Sequence, residues 1–136
     1  MEDEIIFNKM ASIKNCLESV RVNYKQSKKE FLTDYLRQDA AVLNLQRAAQ
    51  TAIDIAAHIV RIKGLSFPKE AKDLFLALHE AKIISEKTKN AMIGMVGFRN
   101  IAVHEYKKLD INVVVIVIES HLTDFEQYMQ EILKAN

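Results

Sequence analysis

Glycine and proline are scarce in this chain, and this scarcity restricts its possible folds more than any other feature. Only three glycines and one proline occur among 136 residues. Hairpins and the turns of many-stranded sheets use both residues heavily, so a fold made of many short strands is not expected. The sequence therefore predicts long helices with few breaks.

The spacing of apolar residues predicts two long helices in the first half of the chain. Apolar positions of the first helix alternate in steps of four and three residues, at Ile6, Met10, Ile13, Leu17, Val20 and Tyr24. This spacing is the apolar stripe of a helix packed in a bundle. After a break over residues 27–38 with one short helical turn, a second helix is predicted from about Asp39. Gly64 is a suitable residue to end it.

The second half of the chain is predicted to form one short helix and two more long ones. Pro68 suits the first turn of the short helix. Ser85 is predicted to cap the third long helix and Asp110 the fourth, whose apolar stripe continues to Ile132. Gly94 and Gly97, near the end of the third long helix, are predicted to permit close packing there. Residues 113–118 are apolar on every side, which predicts that other helices or a second subunit surround them.

These elements sum to an all-α fold, an up-and-down helical bundle of four long helices plus one short helix. The length is that of one domain, so residues 1–136 are expected to fold as a single unit. Cys16 is the only cysteine, the amino terminus is acidic, and no apolar run approaches the roughly 20 residues that span a bilayer. We expect a cytoplasmic protein without membrane contact.

The net charge of +1 is not that of a protein that holds nucleic acid by bulk electrostatics. If the chain acts on RNA, the contact must be local or must be assembled from more than one chain.

Residue types suited to phosphodiester cleavage cluster between Arg99 and Tyr106. His104 can move a proton to or from a ribose hydroxyl, because histidine titrates near neutral pH. Arg99 can hold a phosphate through two parallel hydrogen bonds, and Asn100 can orient either group. No carboxylate cluster stands nearby to hold a metal. The predicted chemistry is therefore metal-independent, uses no cofactor and takes the 2′-hydroxyl of the RNA as nucleophile.

The spacing of Arg99 and His104 makes a geometric demand. Five residues along a continuous helix turn a side chain through about 500 degrees, so the two would diverge by about 140 degrees. To converge, they need a helix end or loop between them, or a second chain. The motif is predicted to straddle a helix end and a short loop. On residue types alone, a purely structural role for Arg99 and His104 stays open.

Three segments resemble one known family. Residues 95–106 are similar to the signature of the HEPN superfamily, closest to its HepT branch (DUF86): an arginine, a polar residue, a few apolar residues, a histidine, one residue and a tyrosine. Residues 45–59 resemble the long second helix of those proteins, and residues 110–126 resemble their last helix. The resemblance covers nearly the whole chain.

The resemblance implies a function and an assembly. It implies the ribonuclease toxin of a type VII-like toxin–antitoxin pair, in which Arg99 and His104 cleave RNA and Asn100 is the supporting polar residue. It implies a helical homodimer whose two motifs face a shared cleft. The implied partner is an MntA-like minimal nucleotidyltransferase, an antitoxin that silences the toxin by transferring AMP to Tyr106.

Two alternative functions remain open from the sequence. The chain could be a non-catalytic helical partner, or a substrate-presenting subunit, of a minimal nucleotidyltransferase. It could also be a helical dimer whose motif is only structural. Asp54 and His58, four residues apart on one helix, are predicted to form a structural hydrogen bond, with a place in the dimer cleft or antitoxin contact as the alternative. Cys16 is predicted to be a small buried residue, His79 to lie on the surface and His121 to be a core or interface residue.

Overall fold

The computed structural model describes residues 3–25 and 27–135, and this part of the chain is helical with no strand. The all-α prediction is confirmed. The helices are α1 (Glu4–Tyr24), α2 (Lys28–Phe31), α3 (Tyr35–Lys63), α4 (Ala71–Glu80), α5 (Glu86–His104), α6 (Ile111–Ser120) and α7 (Leu122–Lys134). A single 3₁₀ turn, Tyr106–Lys108, connects α5 to α6.

Helix α3 is at the centre of the fold. It packs against α1, α4 and α5, and α5 packs in turn against α7. The buried side chains of these helices form one apolar core. The hydroxyl of Tyr128 on α7 donates to the carbonyl of Ala52 on α3 at 2.9 Å, and its ring meets that of Phe75 edge-on. These contacts fix α7 against the central helix.

The predicted helix ends are confirmed where a capping residue signals them. The side chain of Ser85 accepts a hydrogen bond from the backbone of Thr88 at the start of α5, and Asp110 accepts one from Asn112 at the start of α6. Gly64 ends α3 in the left-handed region with φ of 60°. That backbone conformation favours glycine because it has no Cβ.

The prediction of one unbroken last helix from Asp110 is wrong. The helix is interrupted at His121, whose φ of −122° and ψ of −1° lie outside the helical region. The ring of His121 contacts the carboxylate of Asp124 at 2.8 Å. The apolar stripe nevertheless continues on the buried side of both α6 and α7. Hydrophobic spacing therefore did not reveal the break.

The predicted helix count also needs correction. Helix α3 begins at Tyr35, one turn before the predicted start at Asp39, and Asp34 caps it by accepting from the backbone of Arg37. Tyr35 and Leu36 in this first turn are 75% and 83% exposed, so no apolar stripe marks it. The prediction was four long helices plus one short helix. The described residues form seven helices, because α2 is a separate short helix and the predicted last helix is divided into α6 and α7.

Single-residue predictions outside the motif had mixed outcomes. Cys16 is buried, as predicted. His79, predicted on the surface, is half-buried, and its Nδ1 donates to the carbonyl of Ile84 at 3.1 Å. In the described residues, no helix is both long and apolar enough to cross a membrane.

Candidate active site

The predicted catalytic residues lie at the carboxyl end of α5. The helix ends at His104, with Glu105 as its C-cap, so Arg99, Asn100 and His104 are all helical. The motif does straddle a helix end, as predicted, because Tyr106 lies beyond it in the 3₁₀ turn. The end does not fall between Arg99 and His104. Within one chain the two side chains therefore diverge by about 140 degrees around the helix.

The guanidinium of Arg99 is held on two sides. Its Nε and Nη2 both donate to Oε1 of Gln50 on α3, at 3.0 and 2.6 Å. Its Nη1 donates to Oδ1 of Asn100 at 2.6 Å. Gln50 in turn donates from Nε2 to Oδ1 of Asp54 at 2.9 Å. Arg99 is thus a partly buried cation that no carboxylate of residues 3–25 or 27–135 contacts, and its charge remains available to an anion.

His104 contrasts with Arg99 because it is open to solvent. It is the last residue of α5 and is exposed, and no side chain in residues 3–25 or 27–135 forms a hydrogen bond with its imidazole. Lys107 and Lys108, exposed in the following turn, add positive charge close by in the chain. Across the same described ranges, no three His, Cys, Asp or Glu side chains are grouped in a way that could hold a metal ion.

The hydroxyl of Tyr106 is anchored to α3. It donates to Oδ1 of Asp39, while the side chain remains 45% exposed. Partial burial, followed by the hydrogen bond and the charge of Asp39, raises the pKa of Tyr106 to about 12. The phenol is therefore protonated at neutral pH, with a carboxylate in contact and part of the ring accessible.

Helix α3 supports both ends of the motif, which the sequence did not reveal. Asp39 and Gln50 are eleven residues apart, close to three full helical turns, so both face the same side of α3. One contacts Tyr106 and the other contacts Arg99. The polar residues at this spacing were a signal, but a solvated helix face has the same pattern.

The predicted hydrogen bond between Asp54 and His58 is not formed. Asp54 accepts from Gln50 instead. Nδ1 of His58 accepts from Nη2 of Arg61 at 2.9 Å, because arginine can only donate, and Nε2 therefore donates to Asp3 at 2.5 Å. His58 is a buried link between α3 and the start of α1, and Asp54 belongs to the surroundings of Arg99.

An open apolar groove of about 640 Å³ lies between α5 and α6, beside the motif. Its exposed apolar side chains are Ile101, Val113 and Ile116, and His121 lies at its edge. Gly94 and Gly97 also line it, and a Cβ at either would meet nothing within 4 Å. The close packing expected at these glycines therefore does not occur within the chain.

Comparison with known proteins identifies the family to which this fold and motif belong. The model of the family described as "Ribonuclease HepT-like" matches residues 13–132. A relative from Shewanella oneidensis, named mRNA nuclease HepT, is 40% identical over 133 residues, which cover 98% of each protein. The chain belongs to the HepT-like ribonuclease family.

Two further comparisons concern a second named nuclease and a solved toxin structure. A tRNA nuclease HepT from Aphanizomenon flos-aquae is 28% identical over 134 residues, covering 97% of this chain and 90% of the relative. A solved structure of a tri-AMPylated Shewanella oneidensis HEPN toxin, in complex with its MNT antitoxin, superimposes with a TM-score of 0.92 at 40% identity. That match covers 98% of this chain and 99% of the other. The HEPN resemblance inferred from the motif is confirmed.

Proposed function

We propose that this chain is the endoribonuclease toxin of a type VII-like toxin–antitoxin pair, with Arg99 and His104 as the catalytic residues and Asn100 as support. The observation that carries the proposal is the arrangement at the end of α5. An arginine held between two neutral amides lies five residues before a solvent-exposed histidine. The 40% identity to a protein named as an mRNA nuclease supports this assignment over a non-catalytic partner subunit.

The residue types support a metal-independent transesterification. His104 removes the proton of the 2′-hydroxyl, whose oxygen then attacks the adjacent phosphorus. The bond from phosphorus to the 5′-oxygen breaks, and the imidazole of His104 from a second copy of the chain gives a proton to that leaving oxygen. Arg99 stabilises the negative charge that builds on the phosphate oxygens. The products are a 2′,3′-cyclic phosphate and a 5′-hydroxyl.

A homodimer formed through the groove between α5 and α6 would complete this site. Because α5 is continuous, one chain presents Arg99 and His104 in different directions, and a second copy can supply the missing group. Ile101, between them in sequence, is exposed and lines the groove. Gly94 and Gly97 weaken α5 by about 1 kcal/mol each relative to alanine. In the described part of the chain no atom lies within 4 Å of a Cβ placed at either glycine, whereas a partner helix that approaches closely would need the side chain to be absent.

An MntA-like nucleotidyltransferase is proposed as the antitoxin, with Tyr106 as its acceptor. The hydroxyl of Tyr106 is protonated, partly accessible and in contact with the carboxylate of Asp39. The Shewanella oneidensis relative, a toxin in complex with its antitoxin, is described as tri-AMPylated. An adenylyl group on Tyr106 would place bulk and negative charge two residues from His104, where it would repel an RNA phosphate.

Expression of the native chain without its partner tests the toxin assignment. We expect arrested growth of the bacterial host and fragmented RNA, because the free motif is accessible at the end of α5. Normal growth with intact RNA, at a verified level of folded protein, would contradict the proposal.

A second prediction concerns Tyr106. Co-expression with the cognate nucleotidyltransferase is expected to add AMP to the native chain and to the Tyr35→Phe variant, but not to Tyr106→Phe. Tyr35 is the matched control because it is the more exposed tyrosine, at 75% against 45%. Intact-protein and peptide mass spectrometry measure the adduct. Full neutralisation of Tyr106→Phe without any covalent change would mean that the partner inhibits by binding alone.

A further inference from the structure

A chain of three side chains connects α5 to the interior of α3. Arg99 donates twice to the Oε1 oxygen of Gln50, at 3.0 and 2.6 Å. Gln50 then donates to the carboxylate of Asp54 at 2.9 Å, one turn further along α3. All three side chains are half-buried between the two helices. Because these hydrogen bonds are partly shielded from water, they are stronger than the same bonds on an open surface.

The hydrogen-bonding capacity of the three groups permits only one arrangement. A guanidinium has donors and no acceptor, and an ionised carboxylate has acceptors and no donor. The amide of Gln50 has one of each, so its oxygen must face Arg99 and its nitrogen must face Asp54. A flipped amide would oppose donors to donors and acceptors to acceptors. Asp54 therefore fixes the amide, and the amide fixes the guanidinium.

A neutral residue at position 50 also preserves the charge of Arg99. A glutamate there could accept the same two hydrogen bonds, but it would pair with the guanidinium and weaken its attraction for a phosphate. It would also place a second carboxylate one turn from Asp54. Glutamine holds Arg99 without neutralising it.

The contacts of Arg99 leave part of its guanidinium for a ligand. Of its five N–H groups, Gln50 takes one on Nε and one on Nη2, and Asn100 takes one on Nη1. Within the described residues, one N–H on each terminal nitrogen remains for a phosphate. The contacts with Gln50 and Asn100 therefore hold the guanidinium in place and leave two of its N–H groups free to bind a phosphate.

We propose that Gln50 is a positioning residue for Arg99 and that Asp54 acts on Arg99 only through Gln50. The inference rests on the proposed catalytic role of Arg99. Neither residue is proposed to contact the RNA itself. Both reduce the number of orientations that the guanidinium samples, so that it meets the phosphate correctly placed for the reaction.

The test is a double-mutant cycle measured as kcat and KM for RNA cleavage by the purified full chain. Gln50→Leu removes the acceptor and is expected to lower kcat by about 10- to 100-fold, with KM changed by less than about threefold. Asp54→Leu is expected to lower kcat by about tenfold or less, because the amide remains but can flip. Asp54→Asn keeps an acceptor oxygen and is expected to restore most of the activity. Gln130→Leu, an exposed glutamine on α7, is the matched control without effect.

The double variant distinguishes a relay from two independent effects. If Asp54 acts through Gln50, the variant Gln50→Leu/Asp54→Leu is no slower than Gln50→Leu alone. Losses that multiply would overturn the claim that Asp54 acts through Gln50. Thermal unfolding of each variant verifies that it is folded at the assay temperature.

Arg99→Ala, assayed in parallel, separates this inference from the proposed function. If Arg99→Ala is inactive and Gln50→Leu retains the native kcat, the positioning role of Gln50 is wrong and the catalytic role of Arg99 stands. If Arg99→Ala retains the native kcat, the assignment of Arg99 itself fails.

Discussion

Replacing His104 by alanine is expected to lower the rate of RNA cleavage by about 100- to 10,000-fold, the usual contribution of a general acid–base group. The side chain is exposed at the end of α5 and forms no hydrogen bond within the described residues. Removal of the imidazole should therefore lower the cleavage rate without destabilising the fold. Cleavage rates of the purified variant, and growth of bacteria that express it, measure the effect.

Arg99 is expected to respond differently to two replacements. Arg99→Ala should lower the rate by about 100-fold or more, because it removes the charge that stabilises the transition state. Arg99→Lys keeps the charge but loses the forked donor that Gln50 and Asn100 hold, so an intermediate rate is expected. His79→Ala, a histidine on α4 outside the motif, is the control and should cleave at the native rate. Equal toxicity of the native chain and the alanine variants at His104 and Arg99 would show that the active pair is wrongly assigned.

The second large effect is expected at the groove between α5 and α6. Ile116→Glu places a charge on an apolar side chain that is 55% exposed in the single chain and that the proposed dimer would bury. Burial of an unpaired charge is costly, so the dimer dissociation constant should rise by at least about 100-fold. Because the site is proposed to need two chains, the loss of the dimer should also lower the rate of RNA cleavage.

The control for the groove is a substitution of equal exposure elsewhere. Val22 on α1 is also 55% exposed, and Val22→Glu should leave both the oligomeric state and the cleavage activity unchanged. Light scattering over a range of protein concentrations measures the assembly, and cleavage assays at the same concentrations measure the activity. A dimer that persists in Ile116→Glu with native activity would place the interface on another face.

The helices were predictable from the sequence wherever a helix has one continuous apolar stripe that is buried in the core. Scarce glycine and proline, together with the stripe from Ile6 to Tyr24, were enough to predict long helices. The break at His121 was not predictable, because the buried stripe continues across it from α6 to α7. The true start of α3 was missed because Tyr35 and Leu36, the apolar residues of its first turn, are exposed and do not continue the buried stripe.

The site was predictable only as far as the motif itself. Residue types singled out Arg99, His104 and Tyr106, and family resemblance assigned them roles. The contacts from Gln50 to Arg99 and from Asp39 to Tyr106 join residues 49 and 67 positions apart. Such pairs depend on how α3 and α5 are packed, which hydrophobic spacing in either helix does not specify. The predicted hydrogen bond between Asp54 and His58 was wrong for a related reason. Gln50 and His58 both lie four residues from Asp54, and helix spacing alone does not distinguish between them.

We propose that this chain cleaves RNA through the motif at the end of α5 by using the 2′-hydroxyl of the RNA. The most direct measurement incubates the purified native chain and its His104→Ala variant with RNA and with a 2′-O-methylated copy, in the presence of EDTA. We expect that only the native chain cuts, that only the unmodified RNA is cut, and that the products end in a 2′,3′-cyclic phosphate. Equal cleavage by His104→Ala, cleavage of the methylated copy, or loss of all cleavage in EDTA would contradict it.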